Sequence, residues 1–201
     1  YILSGYTLSF VYQMVDFLSK KQLQFFFMKR FFRIYPLLWF ATIFTLILTQ
    51  FHYSWLKIFL NVTGLFGLFS WDEYIATGAW SIGNELVFYL SFPLLMWLRS
   101  NARKIFYLSG LLLFWGLFYQ AFFQLVSTKP LSAQWSMYTS PFVQIIAFYI
   151  GIAVQLIRLP QKQYVIIANL LLILIVFVLL PVSGNQIHLV VGWKRIVFVS
   201  L

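Results

Sequence analysis

Long apolar runs separated by short charged stretches set the pattern of this chain. Stretches without Lys, Arg, Asp or Glu cover Ile34–Leu56, Ile105–Thr128, Pro130–Ile157 and Gln163–Trp193. Each exceeds the ~20 residues that carry a helix across a bilayer. Their apolar positions are continuous rather than alternating, which excludes a transmembrane β-barrel. The pattern predicts an all-α, polytopic transmembrane helical bundle forming a single membrane-embedded domain over residues 1–201. Predicted segments are the tail of a first span (Tyr1–Leu18), then Leu37–Gln50, Ala79–Leu98, Ile105–Leu125, Tyr138–Ile157 and Tyr164–Leu180, with a last helix beginning around His188–Gly192. Because Tyr1 and Leu201 both fall inside apolar segments, the bundle is expected to be incomplete at both ends. Ile58–Ser70 is apolar but short, and segments of that length are more often re-entrant or interfacial than spanning.

Charge turns this pattern into a topology. The 14 basic residues, against four acids, give a net charge of +10, which on its face suggests a nucleic-acid partner. The cations instead occupy short stretches between apolar runs, as membrane topology requires, so no nucleic-acid role is expected and the partner is the lipid bilayer. Five cations between Lys20 and Arg33 mark the cytoplasmic side. With Ile58–Ser70 re-entrant, ten of the basic residues fall on that side. If it crossed, every later loop would flip and only eight would, so the re-entrant arrangement obeys the positive-inside rule better. The inner loops then include Arg99–Lys104 and Arg158–Pro160–Lys162, and Pro181–Gly184 forms an outer turn. Trp71 and Trp80 suit an aromatic belt at the outer surface. Pro36 fits the first turn of the span that follows the basic stretch.

Composition also limits the chemistry. The chain is 62% apolar and has no cysteine, so no disulfide framework, thiol nucleophile or thiolate metal site is available. His52 and His188 are too few and too far apart for a metal centre, and both read as interfacial. No bound cofactor is expected.

The stretch Trp80–Leu95, WSIGNELVFYLSFPLL, holds Glu85. A charged side chain at a helix centre costs roughly 2.5–3.5 kcal/mol on insertion scales and marks a functional site by default. Helical spacing puts Ser81, Glu85, Phe88 and Tyr89 on one face, with Phe92 a turn further on. Glu85 lies five residues below Trp80, about 7 Å at 1.5 Å per residue. A carboxylate retained only to bond a neighbouring helix is the weaker reading, since Ser or Asn does that at lower cost. Arg30 and Arg33, three apart, share a helix face and can grip a phosphate or carboxylate; on charge alone, anchoring to lipid headgroups explains them as well. Ser4-Gly5 is a small pair that permits close approach of another helix or a ligand, and for Gly5 helix packing is the simpler reading. Gly151 fits the same use.

Four stretches together resemble acyltransferase family 3, the integral membrane O-acyltransferases of bacterial surface polysaccharides. Tyr1–Leu8 (YILSGYTL) is similar to the family's F-F-x-L-S-G-F motif, and Arg30–Pro36 (RFFRIYP) to R-x-x-R-I-x-P. Trp80–Leu95 is similar to W-S-L-x-x-E-x-x-F-Y-x-x-x-P-L-L, and Ser140–Gly151 (SPFVQIIAFYIG) to P-x-x-R-L-x-E-F-x-x-G. The third motif is the most specific, and the order and spacing of all four fit. The resemblance implies a membrane O-acyltransferase domain that moves an acyl group, usually acetyl, from cytoplasmic acyl-CoA as co-substrate to a hydroxyl of a carbohydrate acceptor, in the bacterial inner membrane. It implies Arg30 and Arg33 as acyl-donor ligands, Glu85 as the catalytic carboxylate, and Ser4, Gly5, Trp80, Ser81 and Tyr89 lining the site. No metal is implied.

Two departures stand out. The family carries a histidine on a helix before the Ser-Gly motif, expected to act as base, and neither His52 nor His188 matches it by position; the chain as it stands is expected to be inactive without that residue. Gln144 and Ala147 occupy the places of a basic and an acidic residue in the fourth motif. The competing class is a multi-span transporter, which also buries a carboxylate and places arginines at its mouth. A transporter is expected to show broken helices in two related halves, and no such pair is found in the sequence.

Overall fold

The computed structural model describes residues 1–156, 171, 173–175, 178–179 and 186–200. Among these residues the secondary structure is entirely helical. The elements are α1 (Ile2–Val11), α2 (Lys20–Leu48), α3 (Trp55–Thr63), α4 (Phe66–Phe69), α5 (Trp80–Asn101) and α6 (Arg103–Tyr119), a π-turn at Gln120–Gln124, a 3₁₀ turn at Leu131–Gln134, then α7 (Trp135–Thr139), α8 (Pro141–Val154), α9 (Ile187–Val190) and α10 (Trp193–Ser200). Lys20–Leu48, Trp80–Asn101 and Arg103–Gln124 are long and apolar enough to cross a membrane, and the bent pair Leu131–Thr139 and Pro141–Val154 makes a fourth candidate. The chain is an integral membrane protein with an all-α bundle. The expected loop at Arg158–Lys162 and turn at Pro181–Gly184 lie outside the described residues, as does most of the expected span Tyr164–Leu180.

Three local expectations are corrected. The basic stretch after Ser19 is not a loop, because α2 begins at Lys20 and runs unbroken through both arginines. Lys and Arg are good helix formers, and at a span's end their long side chains reach water. Pro36 consequently lies inside α2 rather than in its first turn, where its missing N–H removes one bond of the helical ladder. Tyr138–Ile157 is not a continuous span: it breaks at Ser140 with a 58° bend. Proline biases the residue before it away from helical geometry, and Pro141 then opens α8 at its first position. His188, read as interfacial near the start of the last helix, sits in the short helix α9.

The apolar Ile58–Ser70 stretch forms two short helices, α3 and α4, that meet at Gly64. Its φ of 74° ends α3 in the left-handed region, which glycine adopts without steric cost. The carbonyls freed there find donors on α2: the Tyr35 hydroxyl bonds Thr63 O at 2.8 Å and Trp39 Nε1 bonds Val62 O at 2.8 Å. Asn61, fully buried, fastens the following loop by donating to Lys57 O and Glu73 O and accepting from Ile75 N at 2.8 Å.

The main core is aromatic. Phe26 of α2, Phe88 and Phe92 of α5, Phe106 of α6 and Phe148 of α8 are fully buried. Phe26 stacks on Phe92 and Phe88 on Phe148, both at 5.3 Å between ring centres. The α1–α8 seam is tightest. A Cβ on Gly5 would stand 2.1 Å from Phe148 O, and one on Gly151 would stand 2.0 Å from Ile2 O, so only glycine allows these two backbones to meet. The outward side of α2, including Leu37, Phe40, Phe44 and Ile47, is exposed, as a lipid-facing surface requires.

Candidate active site

Three helices bring the chemistry-bearing residues together. Ser4 and Thr7 of α1, Arg30 and Arg33 of α2, and Glu85 of α5 line one cavity of about 350 Å³ with Leu3, Leu8 and Val11. The helices converge here because Tyr12 of the α1 C-terminus packs edge-on to Phe26 of α2 at 5.2 Å and to Phe92 of α5 at 6.1 Å. The cavity therefore sits over the aromatic core, which holds its walls in place.

Glu85 is half-buried and accepts a hydrogen bond from the Tyr89 hydroxyl at 3.0 Å, the contact that i, i+4 spacing on a helix produces. Tyr89 also interacts with Ser4. The two arginines differ. Arg30 is boxed by aromatic rings, its guanidinium carbon standing 5.9, 5.7 and 5.5 Å from the ring centres of Tyr12, Phe26 and Tyr89. Its buried Nε has no hydrogen-bond partner among the described residues. Arg33, one turn on, is exposed at the cavity mouth. Two guanidiniums against one carboxylate leave a positive field, which favours an anionic ligand.

Arg30 and Tyr89 also line a second, apolar cavity of about 430 Å³ with Phe27, Phe31, Tyr35, Leu65, Leu68 and Leu86 among its walls. The anion-attracting cavity and an apolar chamber thus share one arginine.

Other predicted site residues are placed elsewhere. Gly5 faces the Phe148 backbone rather than the cavity. Ser81 donates from its hydroxyl to Gly78 O at 2.9 Å, a bond back to the turn that precedes α5 rather than one into the cavity. Trp80 packs edge-on to Trp135 at 5.7 Å, and the Trp71 ring bonds Ser136 O at 2.7 Å, so both tryptophans hold the bundle's end together. Gln144 bonds the Tyr138 carbonyl at 2.8 Å. Neither His52 nor His188 lines the Glu85 cavity. Among the described residues no three His, Cys, Asp or Glu side chains gather as a metal site. Thr7 and Tyr12 went unread from the sequence. Thr7 was within reach of helical spacing from Ser4, whereas Tyr12 becomes part of the site only through tertiary packing.

A family model described as an acyltransferase domain matches residues 1–200. The chain belongs to acyltransferase family 3. No curated protein and no solved structure matches it. Membership makes this protein a membrane acyltransferase and leaves the transporter alternative without support. It also gives a common frame to the cavity: the arginines of the second motif and the glutamate of the third, 52 positions apart in sequence between Arg33 and Glu85, face one space.

Proposed function

We propose that this acyltransferase moves an acyl group, acetyl in the first instance, from cytoplasmic acyl-CoA to a hydroxyl of a cell-surface carbohydrate, in the bacterial inner membrane. The observation that carries the reading is the convergence of Arg30, Arg33 and Glu85 on one cavity. Arg33 at the mouth and Arg30 deeper in it clamp the phosphates of coenzyme A through charge-assisted hydrogen bonds. The apolar chamber beyond Arg30 takes the thioester arm, which has little charge of its own.

A sugar hydroxyl is a poor nucleophile until a base removes its proton, and histidine is the usual base. The family resemblance supplies that histidine from a helix ahead of the Ser-Gly motif. Glu85 orients it and stabilises the imidazolium, as the carboxylate of a Ser-His-Asp triad does, and Tyr89 holds Glu85 in position. The alkoxide oxygen bonds to the thioester carbon and the C–S bond breaks. The thiolate of coenzyme A takes up the proton that the base holds. Only the acyl group passes outward.

The test uses the full-length protein in inside-out vesicles supplied with labelled acetyl-CoA. Wild type is expected to label polysaccharide, and Arg33→Ala and Glu85→Gln are expected to lose most of that label. Undiminished transfer by Glu85→Gln would remove the carboxylate from the mechanism. Absence of transfer by wild type across a panel of acyl donors would overturn the function.

A further inference from the structure

A second buried cation lies outside the site just described. Arg195 of α10 is only 4% exposed, and its Nη1 has no hydrogen-bond partner among the described residues. Its guanidinium stands 5.2 Å from the ring centre of Tyr138, and it lines a cavity of about 230 Å³ with Tyr138, Gln144, Leu189, Val190 and Val199. Guanidinium offers five donors and no acceptor, and does not shed its charge in proteins. Burying it without an anion is strongly unfavourable, and one aromatic face offsets only a part of that cost. None of the chain's acids (Asp16, Asp72, Glu73, Glu85) lines this cavity. The unmet donor therefore calls for an anion from outside the chain.

The surroundings indicate what carries that anion. Tyr138 lies 5.7 Å from Trp135 and 6.4 Å from Trp80, and all three rings are half-buried. Trp135 is held in place by donating from Nε1 to the Tyr74 hydroxyl at 2.9 Å. Aromatic faces beside a guanidinium present apolar area for the C–H face of a sugar ring together with paired donors for a charge. Trp80 opens α5, and Glu85 follows five residues later, about 7 Å along the helix. A sugar lying against these rings is thus held at the same helix end as the catalytic carboxylate.

We propose that the Arg195 cavity binds an anionic group, a phosphate or a carboxylate, borne by the carbohydrate acceptor. The acceptor half of this proposal rests on the function proposed above; the anion half does not. The test is thermal unfolding of the full-length protein in detergent micelles, at matched ionic strength, with inorganic phosphate, with glucuronate, or with neutral methyl glucoside. Ligands that bind the folded state raise its midpoint by mass action. Wild type is expected to be stabilised by phosphate, glucuronate or both, which separates the two sources, and to ignore methyl glucoside. Arg195→Gln is expected to lose the response. Gln144→Glu gives up the amide bond to the Tyr138 carbonyl but puts a carboxylate in the lining of the same cavity; it is expected to bind no anion, and it decides the matter if Arg195→Gln fails to fold. Wild type indifferent to both anions, or a Gln144→Glu protein that still responds like wild type, would overturn the anion site.

Acyl transfer supplies the second readout. Arg195→Gln is expected to raise KM for an anionic acceptor at least tenfold and to leave KM for acyl-CoA unchanged. An intact anion response with an unchanged acceptor KM would sink the acceptor assignment while the anion site stands. Loss of all transfer in wild type with the anion response intact would count against the proposed function instead.

Discussion

The α1–α8 seam and the α2–α5 seam are built from opposite materials. Across the first, Gly5 and Gly151 bring two backbones so close that no Cβ fits. Along the second, α2 and α5 border two cavities, one completed by α1 and the other by the α3–α4 stretch. Both seams rest on the same aromatic core, since Phe148 of α8 and Phe26 of α2 each pack against Phe92. The closed seam fixes α1, and with it Ser4, against the bundle. The open seam then has a rigid wall to face. Without solvent to drive helices together, close van der Waals contact is what holds membrane helices, so a cavity between α2 and α5 needs a dry seam beside it.

The comparison breaks most visibly at Glu85. Glu85→Gln keeps the shape, and its amide oxygen still accepts from Tyr89, but the charge is gone. The expected result is a roughly thousandfold fall in kcat/KM, about 4 kcal/mol at 1.36 kcal/mol per tenfold, with membrane insertion and melting midpoint unchanged. Activity within tenfold of wild type would show that the open seam's carboxylate is structural.

The closed seam should respond in the opposite way. Gly5→Ala or Gly151→Ala drives a methyl group into a backbone carbonyl, and overpacking of this kind costs typically 1–3 kcal/mol. At about 2–4 °C per kcal/mol for a chain of this size, the midpoint should fall by roughly 2–12 °C. KM for acyl-CoA, measured well below that midpoint, should stay within about twofold of wild type. A large change in KM with little change in midpoint would mean that the glycines serve the cavity rather than the seam.

Arg33→Ala comes next. The side chain is exposed at the cavity mouth, so the melting midpoint should not move. Hydrogen bonds to charged groups are worth about 1.5–3 kcal/mol, so KM for acyl-CoA should rise between roughly tenfold and a hundredfold, with partial recovery in Arg33→Lys because a point charge replaces only part of a planar fork. An unchanged KM would leave Arg33 to the lipid headgroups.

How much of this was legible in sequence follows from where each signal lives. Apolar runs are one-dimensional, so the spans at Trp80–Asn101 and Arg103–Gln124 were visible within a few residues. A lone acid in such a run is equally plain, which is why Glu85 could be read, and i, i+4 spacing already pointed Tyr89 at it. The start of α2 at Lys20 was hidden because charge was used as a loop signal, whereas Lys20, Lys21 and Lys29 sit on the helix itself. The break before Pro141 had a local cue in the X-Pro step, outweighed by the apolar run around it. Arg195 reads in sequence as one more cation between apolar runs. Its burial against Tyr138 depends on two segments far apart in sequence meeting, which no window along the chain can show. Asn61 is hidden for a different reason: its partners at Lys57, Glu73 and Ile75 are near in sequence, but the fold of the loop between them carries no pattern that names them.

The smallest expected effect is also the one that sharpens the open seam most. Tyr89→Phe removes the hydroxyl that donates to Glu85 Oε2 but keeps the ring, and with it the aromatic face 5.5 Å from the Arg30 guanidinium. One hydrogen bond contributes about 1 kcal/mol, so kcat should fall roughly fivefold while KM for acyl-CoA stays put. Because Tyr89 is almost fully buried, Phe also fits without a new cavity, and the melting midpoint is the control. Should KM for acyl-CoA rise as well, the ring and the hydroxyl act as one unit, and the donor clamp and the carboxylate are coupled through Tyr89. Should Tyr89→Phe leave kcat untouched while Glu85→Gln abolishes it, Glu85 is held by its reaction partner and not by its own helix.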